Sequence, residues 1–380
     1  MHFHSKLPEV TTTIFSVMSK MAHEYGALNL AQGFPGFDSD PKLQQLVIKA
    51  MSDGYNQYAP MPGVYSLREA ITQKLNTLYG SDYHPENEVT VTAGATQAIY
   101  TIVAAFIRPG DEVIILKPAY DCYEPAVIIN GGKVIPIQLK APDYKVNWKA
   151  VKDAITSKTK MLFINTPHNP TGTILEQEDM LELERILDGT DIILLSDEVY
   201  EHIVFDGKRH ESVARYPSLR ARSFITASFG KTFHNTGWKM GYTVAPKELM
   251  AEFQKVHQFN VFSVHHPSQK AFAQYLREPS HYLELNDFYQ QKRDLFLNLI
   301  KDSRFKTTPS VGTYFQMLDY KAITEEADTA FAERLTKTHG LASIPTSVFN
   351  VKGEDFKMLR FCFAKDDETL KRAAAILNTI

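Results

Sequence analysis

The chain has 380 residues, 44% of them hydrophobic and 22% charged, with a formal net charge of −3. That length exceeds one ordinary compact domain, and the composition is that of a folded globular protein. The slightly acidic balance argues against a nucleic-acid or membrane-surface protein, either of which needs a basic face.

In chain order, Met1 to Lys6 lack the apolar core of a secretory signal, and no apolar run approaches the ~18 residues of a membrane span. His2 and His4 stand close together, but no third ligand lies near them, so no metal site is expected. Thr92-Ala93-Gly94-Ala95-Thr96-Gln97 leads into an apolar helix near Ala98, an entrance whose backbone N–H groups suit a phosphate. Continuous apolar runs at 112–116, 161–165, 192–196 and 224–227 read as strands buried on both faces. Between them, 176–187 is amphipathic, with Met180, Leu183 and Leu187 on one side. Such alternation predicts an α/β fold of three layers, a mostly parallel sheet flanked by helices. From about residue 280 the pattern changes to a long helix at 283–301 and mixed elements at 312–318, 328–339, 359–364 and 368–378. We read 41–280 as a large domain and 1–40 plus 281–380 as a smaller α+β domain. Cys122 and Cys362 set no disulfide framework and have no metal-ligand spacing, which fits a reducing, cytoplasmic compartment.

Ligands of such sheets bind beyond the carboxyl ends of the strands. Asn169, Asp197 and Lys231 all fall there. In Ser228-Phe229-Gly230-Lys231-Thr232-Phe233, followed by Thr236 to Gly241, one lysine sits in a small hydroxyl-rich turn, and the cation of Lys239 comes eight residues later. Desolvation and nearby positive charge favour the neutral, nucleophilic amine that reacts with an aldehyde cofactor, while hydroxyls and a fixed cation suit a phosphate. Asp197-Glu198-Val199-Tyr200 ends a strand with a carboxylate able to keep a pyridine nitrogen protonated, although Asp in this position is also a common helix cap. Pro167-His168-Asn169-Pro170-Thr171-Gly172 presents one amide from a rigid turn, which an ordinary turn would do equally. Arg360 stands alone in the apolar strand Leu359-Arg360-Phe361-Cys362-Phe363; its fork matches a carboxylate, from a ligand or from a structural ion pair.

Together these segments resemble the pyridoxal-phosphate aminotransferases of fold type I, the aspartate-aminotransferase superfamily, along nearly the whole chain. The resemblance is closest to the methionine aminotransferases of bacteria and to the kynurenine aminotransferase and glutamine transaminase K branch. It rests also on Leu30 to Pro35, Asn56-Gln57-Tyr58-Ala59-Pro60, Tyr120-Asp121-Cys122-Tyr123 and Ser196 to His202. It implies that Lys231 attaches pyridoxal 5'-phosphate and then shuttles the substrate proton. Asp197 would pair with the ring nitrogen, Asn169 and Tyr200 with the ring oxygen, and Tyr120 would stack on the ring. Ala95, Thr96, Ser228 and Lys239 would bind the phosphate, joined by Tyr58 from the other subunit of a homodimer. Arg360 would grip the α-carboxylate of the substrate, helped by Asn169 and the Gly33 backbone. Lysine at 239 and tyrosine at 120 depart from relatives that carry arginine, and phenylalanine or tryptophan, at those places.

The implied reaction moves an α-amino group from an amino acid to a 2-oxo acid, with ping-pong kinetics. Aspartate-type members bind a second carboxylate through a further arginine, but none occurs here between Lys239 and Arg277. Phe15, Phe34, Tyr58 and Tyr65 offer aromatic walls that suit a thioether or a ring, or simply core packing. Methionine is the expected donor, followed by phenylalanine, tyrosine, glutamine and kynurenine. A β-lyase of cysteine conjugates is an alternative on the same cofactor. A regulator or a non-catalytic cofactor-binding protein is remoter, since no basic DNA-binding segment precedes Thr11.

Overall fold

The computed structural model describes residues 4–380, so His2 lies outside the described residues. Seven strands form the main sheet, in the order Val89–Thr92, Gly241–Val244, Ser223–Ser228, Ile193–Asp197, Thr159–Asn165, Glu112–Lys117, Lys133–Gln138. Gly241–Val244 runs antiparallel to both neighbours, and every other pair is parallel. Side chains alternate across the pleat into two apolar clusters. Ile114, Leu162, Ile164 and Leu194 enter one; Val113, Ile115, Met161, Phe163, Leu195 and Phe224 enter the other. That two-sided burial is why these strands read as unbroken apolar runs. The helix at Gln177–Leu187 is closed by a capping box of Glu176 and Asp179, and it buries Met180, Leu183 and Leu187.

Three strands of the sheet carry no such run. Lys133–Gln138 is a half-exposed edge strand containing Pro136, tolerable only because an edge leaves one side unpaired. Val89–Thr92 and Gly241–Val244 have four residues each, with threonine and glycine diluting the apolar signal.

A second sheet is antiparallel, in the order Ile344–Pro345, Met358–Cys362, Phe315–Asp319, Lys306–Thr307. Leu28–Asn29 pairs in parallel with Leu341–Ala342, and the helix Ile14–Glu24 packs against the helix Asp328–His339. The strand expected from residue 312 begins only at Phe315. Thr313 adopts a positive φ of 62°, and a Cβ on Gly312 would stand 2.7 Å from Pro167, so this stretch is a turn pressed onto the Asn169 loop. The long helix expected at 283–301 is divided into Ser280–Leu283 and Leu285–Leu299.

Register fixes where the site forms. Asn165 pairs with Asp197, Asp197 with Thr226, Ser228 with Gly241, and Gly241 with Thr92. The carboxyl ends of the parallel strands therefore meet the start of the antiparallel one along a single edge.

Candidate active site

Lys231 lies on the one-turn helix Phe229–Thr232, directly after the strand Ser223–Ser228. Phe229 anchors that turn by stacking on Phe272 at 4.5 Å. Gly230 is needed there, because a Cβ would stand 3.0 Å from the Thr236 backbone. The Lys231 amine donates to the Gly33 carbonyl at 3.1 Å, and the rings of Tyr200 and Tyr314 lie 5.8 and 5.9 Å from it. Burial lowers its pKa to about 8, and the charges of Arg360 and Lys239 act in the same direction. A far larger share of this amine is thus neutral near physiological pH than for an ordinary lysine, although most of it still carries a proton.

Asp197 ends its strand buried. Its carboxylate accepts from the Tyr123 hydroxyl at 2.5 Å and from the Val199 N–H at 3.2 Å. Burial raises its pKa to about 6, against those two hydrogen bonds. A turn at 199–202, not a helix, follows it, so the capping alternative is not realised. Tyr200 is buried on that turn, its ring edge-on to Tyr314 at 5.1 Å.

Opposite them, the helix Gly94–Phe106 opens toward the same edge, with Gly94 at φ 77°. A Cβ on Gly94 would stand 3.6 Å from the Lys239 amine. Lys239 itself holds φ 53°, and a Cβ on Gly241 would stand 2.5 Å from the Ala227 carbonyl and 3.3 Å from the Ala95 nitrogen. The first-turn N–H groups, the Ser228 hydroxyl and the Lys239 ammonium thus converge into a cradle for a compact anion.

Arg360 reaches the site from the second sheet. It donates to Asn169 Oδ1 at 2.8 Å and to the Ala31 carbonyl at 3.0 Å, with Phe315 3.9 Å and Phe15 5.1 Å from the guanidinium carbon. Among the described residues it forms no ion pair, and its Nε has no partner. A buried guanidinium in that state is built for an incoming anion. Asn169 is held by its own N–H on Asn165 Oδ1 at 2.8 Å, and among the described residues its amide NH2 has no hydrogen-bond partner.

Ala95, Thr96, Tyr120, Asn169, Asp197, Tyr200, Ser228, Lys231 and Lys239 line one cavity. Gly33, Arg360 and Phe15 adjoin it through the contacts above. Tyr58, Phe34 and Tyr65 do not line it within this chain. Tyr58 is 82% exposed, edge-on to Phe262 at 5.4 Å, while Phe34 and Tyr65 are about half exposed. Asn165 also lines the cavity, and Tyr123 and Tyr314 adjoin it through Asp197 and Gly33, although the sequence assigned none of the three a role. Tyr123 had the best signal, three residues after Tyr120 at the start of the helix Tyr123–Ile129. Among the described residues no cluster of His, Cys, Asp or Glu could hold a metal, and no helix is long and apolar enough to cross a membrane.

A lysine amine of lowered pKa, a buried carboxylate and an anion cradle at the edge of a mostly parallel sheet, with an unpaired arginine brought over from the second sheet, suit a protein that binds anions beside a reactive amine. The sequence profile of the aminotransferase class I and II family matches residues 26–377. The chain is 47% identical to the methionine aminotransferase of Escherichia coli (strain K12), over 99% of this chain and 98% of that protein. It is 31% identical to the kynurenine–oxoglutarate transaminase of Dictyostelium discoideum, over 95% and 92%. A solved structure of an Escherichia coli methionine aminotransferase superposes with a TM-score of 0.97 at 46% identity, covering 100% of both chains. The chain belongs to the class I and II aminotransferases. It is a pyridoxal 5'-phosphate-dependent transaminase of amino acids and 2-oxo acids, with the aspartate-aminotransferase-like fold.

Proposed function

We propose that this transaminase takes its amino group from methionine and from aromatic or other uncharged amino acids. The observation that carries this reading is the setting of Arg360. One guanidinium without an acid partner, flanked by Phe15 and Phe315, offers a place for one carboxylate and an apolar surround for the rest of the substrate. No arginine between Lys239 and Arg277 is available for a second carboxylate. The likeness to the methionine aminotransferase of Escherichia coli supports the same donor. Kynurenine is the second reading, supported by the likeness to kynurenine–oxoglutarate transaminases.

The residues fit the cofactor. Lys231, its pKa lowered to about 8, would attach it and would later remove and return the Cα proton of the substrate. When bound, the cofactor supplies the electron sink for that proton's electrons. Asp197 would keep the ring nitrogen protonated, the NH2 of Asn169 and the Tyr200 hydroxyl would bind the ring oxygen, and Tyr120 would stack on the ring. Ala95, Thr96, Ser228 and Lys239 would hold the phosphate. Arg360 orients the α-carboxylate, with Asn169 and the Gly33 backbone beside it.

Tyr58 completes the phosphate site of a second copy in a homodimer. The support for a dimer is an exposed aromatic patch in which Tyr58 is 82% and Phe259 87% accessible, with Phe262 beside them. Residues 41–280 are the cofactor-binding domain and 1–40 plus 281–380 the smaller one; all strands of the main sheet fall in the first range. The free thiols of Cys122 and Cys362 suit the cytoplasm.

The test is a panel of donors against several 2-oxo acids. We expect kcat/KM to be highest for methionine, with phenylalanine, tyrosine, glutamine and kynurenine behind it and aspartate about 100-fold lower or worse. Equal rates for aspartate and methionine would refute the assignment.

A further inference from the structure

The segment at residues 31–36 passes over the cavity and is tied down near both ends. The Ala31 carbonyl accepts from Arg360 at 3.0 Å, the Gly36 N–H donates to the Ala364 carbonyl at 2.8 Å, and the Phe34 carbonyl accepts from Lys365 at 3.0 Å. Between these ties lies Gly33, whose backbone rests on Phe315; a Cβ there would stand 2.9 Å from that ring. Its carbonyl accepts two hydrogen bonds, from the Lys231 amine at 3.1 Å and from the Tyr314 hydroxyl at 2.7 Å.

These two donors are unequal. Lys231 is the amine that must leave its resting contact in order to react. Tyr314 is fully buried and packed against Tyr200 at 5.1 Å, Phe315 at 5.0 Å and Tyr289 at 5.6 Å. Burial pushes its hydroxyl well above the ordinary tyrosine range, so it stays a donor at any working pH. We infer that Tyr314 is a positioning residue of the transamination site: its hydroxyl keeps the Gly33 carbonyl satisfied while Lys231 moves, and so holds the 31–36 segment against Arg360. A half-buried carbonyl left with no donor would otherwise turn toward water and take the segment with it. This rests on the reading of Lys231 as the reacting amine.

The variant to make is Tyr314→Phe, which keeps the ring and removes only the donor. Tyr289→Phe is its control, since the Tyr289 hydroxyl is equally buried but has no hydrogen-bond partner. In the holoenzyme, Tyr314→Phe should speed backbone hydrogen exchange in peptides covering 31–36. It should also raise the amino-acid KM about 10-fold while kcat falls less. Tyr289→Phe should leave both unchanged. Wild-type exchange and KM in Tyr314→Phe, or equal changes in both variants, would overturn the inference. Borohydride reduction followed by peptide mass spectrometry separates the two levels. A cofactor tag away from Lys231 sinks the underlying reading, whereas a tag on Lys231 with an undisturbed segment sinks only the role of Tyr314.

Discussion

Lys74 and Arg360 are both buried cations, 5% and 1% exposed, yet their surroundings are opposite. Lys74 lies 2.6 Å from Glu201 and 3.2 Å from His202, and Glu201 also accepts from Tyr79 at 2.7 Å and Tyr242 at 3.2 Å. Burial would raise the Glu201 carboxyl, but Lys74, His202 and these hydrogen bonds together hold it down at about 2. Every charge there has its counter-charge inside the protein. Around Arg360 the neighbours are an amide, a carbonyl and two aromatic rings, with one nitrogen left over. The first arrangement is a joint between the helix Tyr65–Tyr79 and the turn that carries Tyr200. The second is a socket. Burial of charge alone does not distinguish structure from function; the presence of the opposing charge does.

The comparison is sharpened by substitution. Lys231 is a half-buried cation that forms no ion pair among the described residues, and in the proposed site it carries the chemistry itself. Lys231→Ala should lose the covalently held cofactor and its visible absorbance, with kcat down by about 10⁴-fold or more in steady-state assays. Substantial turnover in that variant would remove the proposed site.

Lys74→Met should leave the chemistry in place but cost about 3–5 kcal/mol of stability at pH 7, measured by urea unfolding, because it strands a buried carboxylate. In the wild-type protein the folded pKa of Glu201 is depressed, so its contribution is present above the unfolded value and is lost as pH falls toward about 2. Without Lys74, burial outweighs the remaining hydrogen bonds from Tyr79 and Tyr242 and raises that pKa. The deficit should therefore start to shrink above the ordinary ~4.3 of a glutamate, where the stranded carboxylate takes up a proton, and shrink further as pH falls toward about 2, where the wild-type carboxylate does. A deficit independent of pH would mean that Lys74 contributes packing and not charge.

Arg360→Ala should be gentler on the fold, since it removes a charge that has no internal partner. Its effect should fall on substrate, with the amino-acid KM rising so that kcat/KM drops about 100-fold. Unchanged Michaelis constants, or a stability loss like that of Lys74→Met, would erase the contrast between joint and socket.

The chain by itself determined the layered α/β architecture, because strands buried on both faces must be written as continuous apolar runs, as at 161–165 and 192–196. It also singled out Lys231, set among Ser228, Gly230 and Thr232 just beyond a strand end, as the candidate reacting amine. What it left open at Asp197 was a choice between helix cap and ring-nitrogen partner, and only the turn at 199–202 removed the first. The strands Lys133–Gln138 and Gly241–Val244 were hidden, the first by its exposed edge and its proline, the second by its brevity. The role of Tyr314 was hidden more deeply. Its hydroxyl meets a carbonyl 281 positions away, and the unpaired state of Arg360 depends on residues from both ends of the chain. Local pattern records which face of a strand is apolar, since that depends on neighbours along the chain. Whether a buried polar group has a partner depends on neighbours across it, and those are brought together only by the tertiary fold.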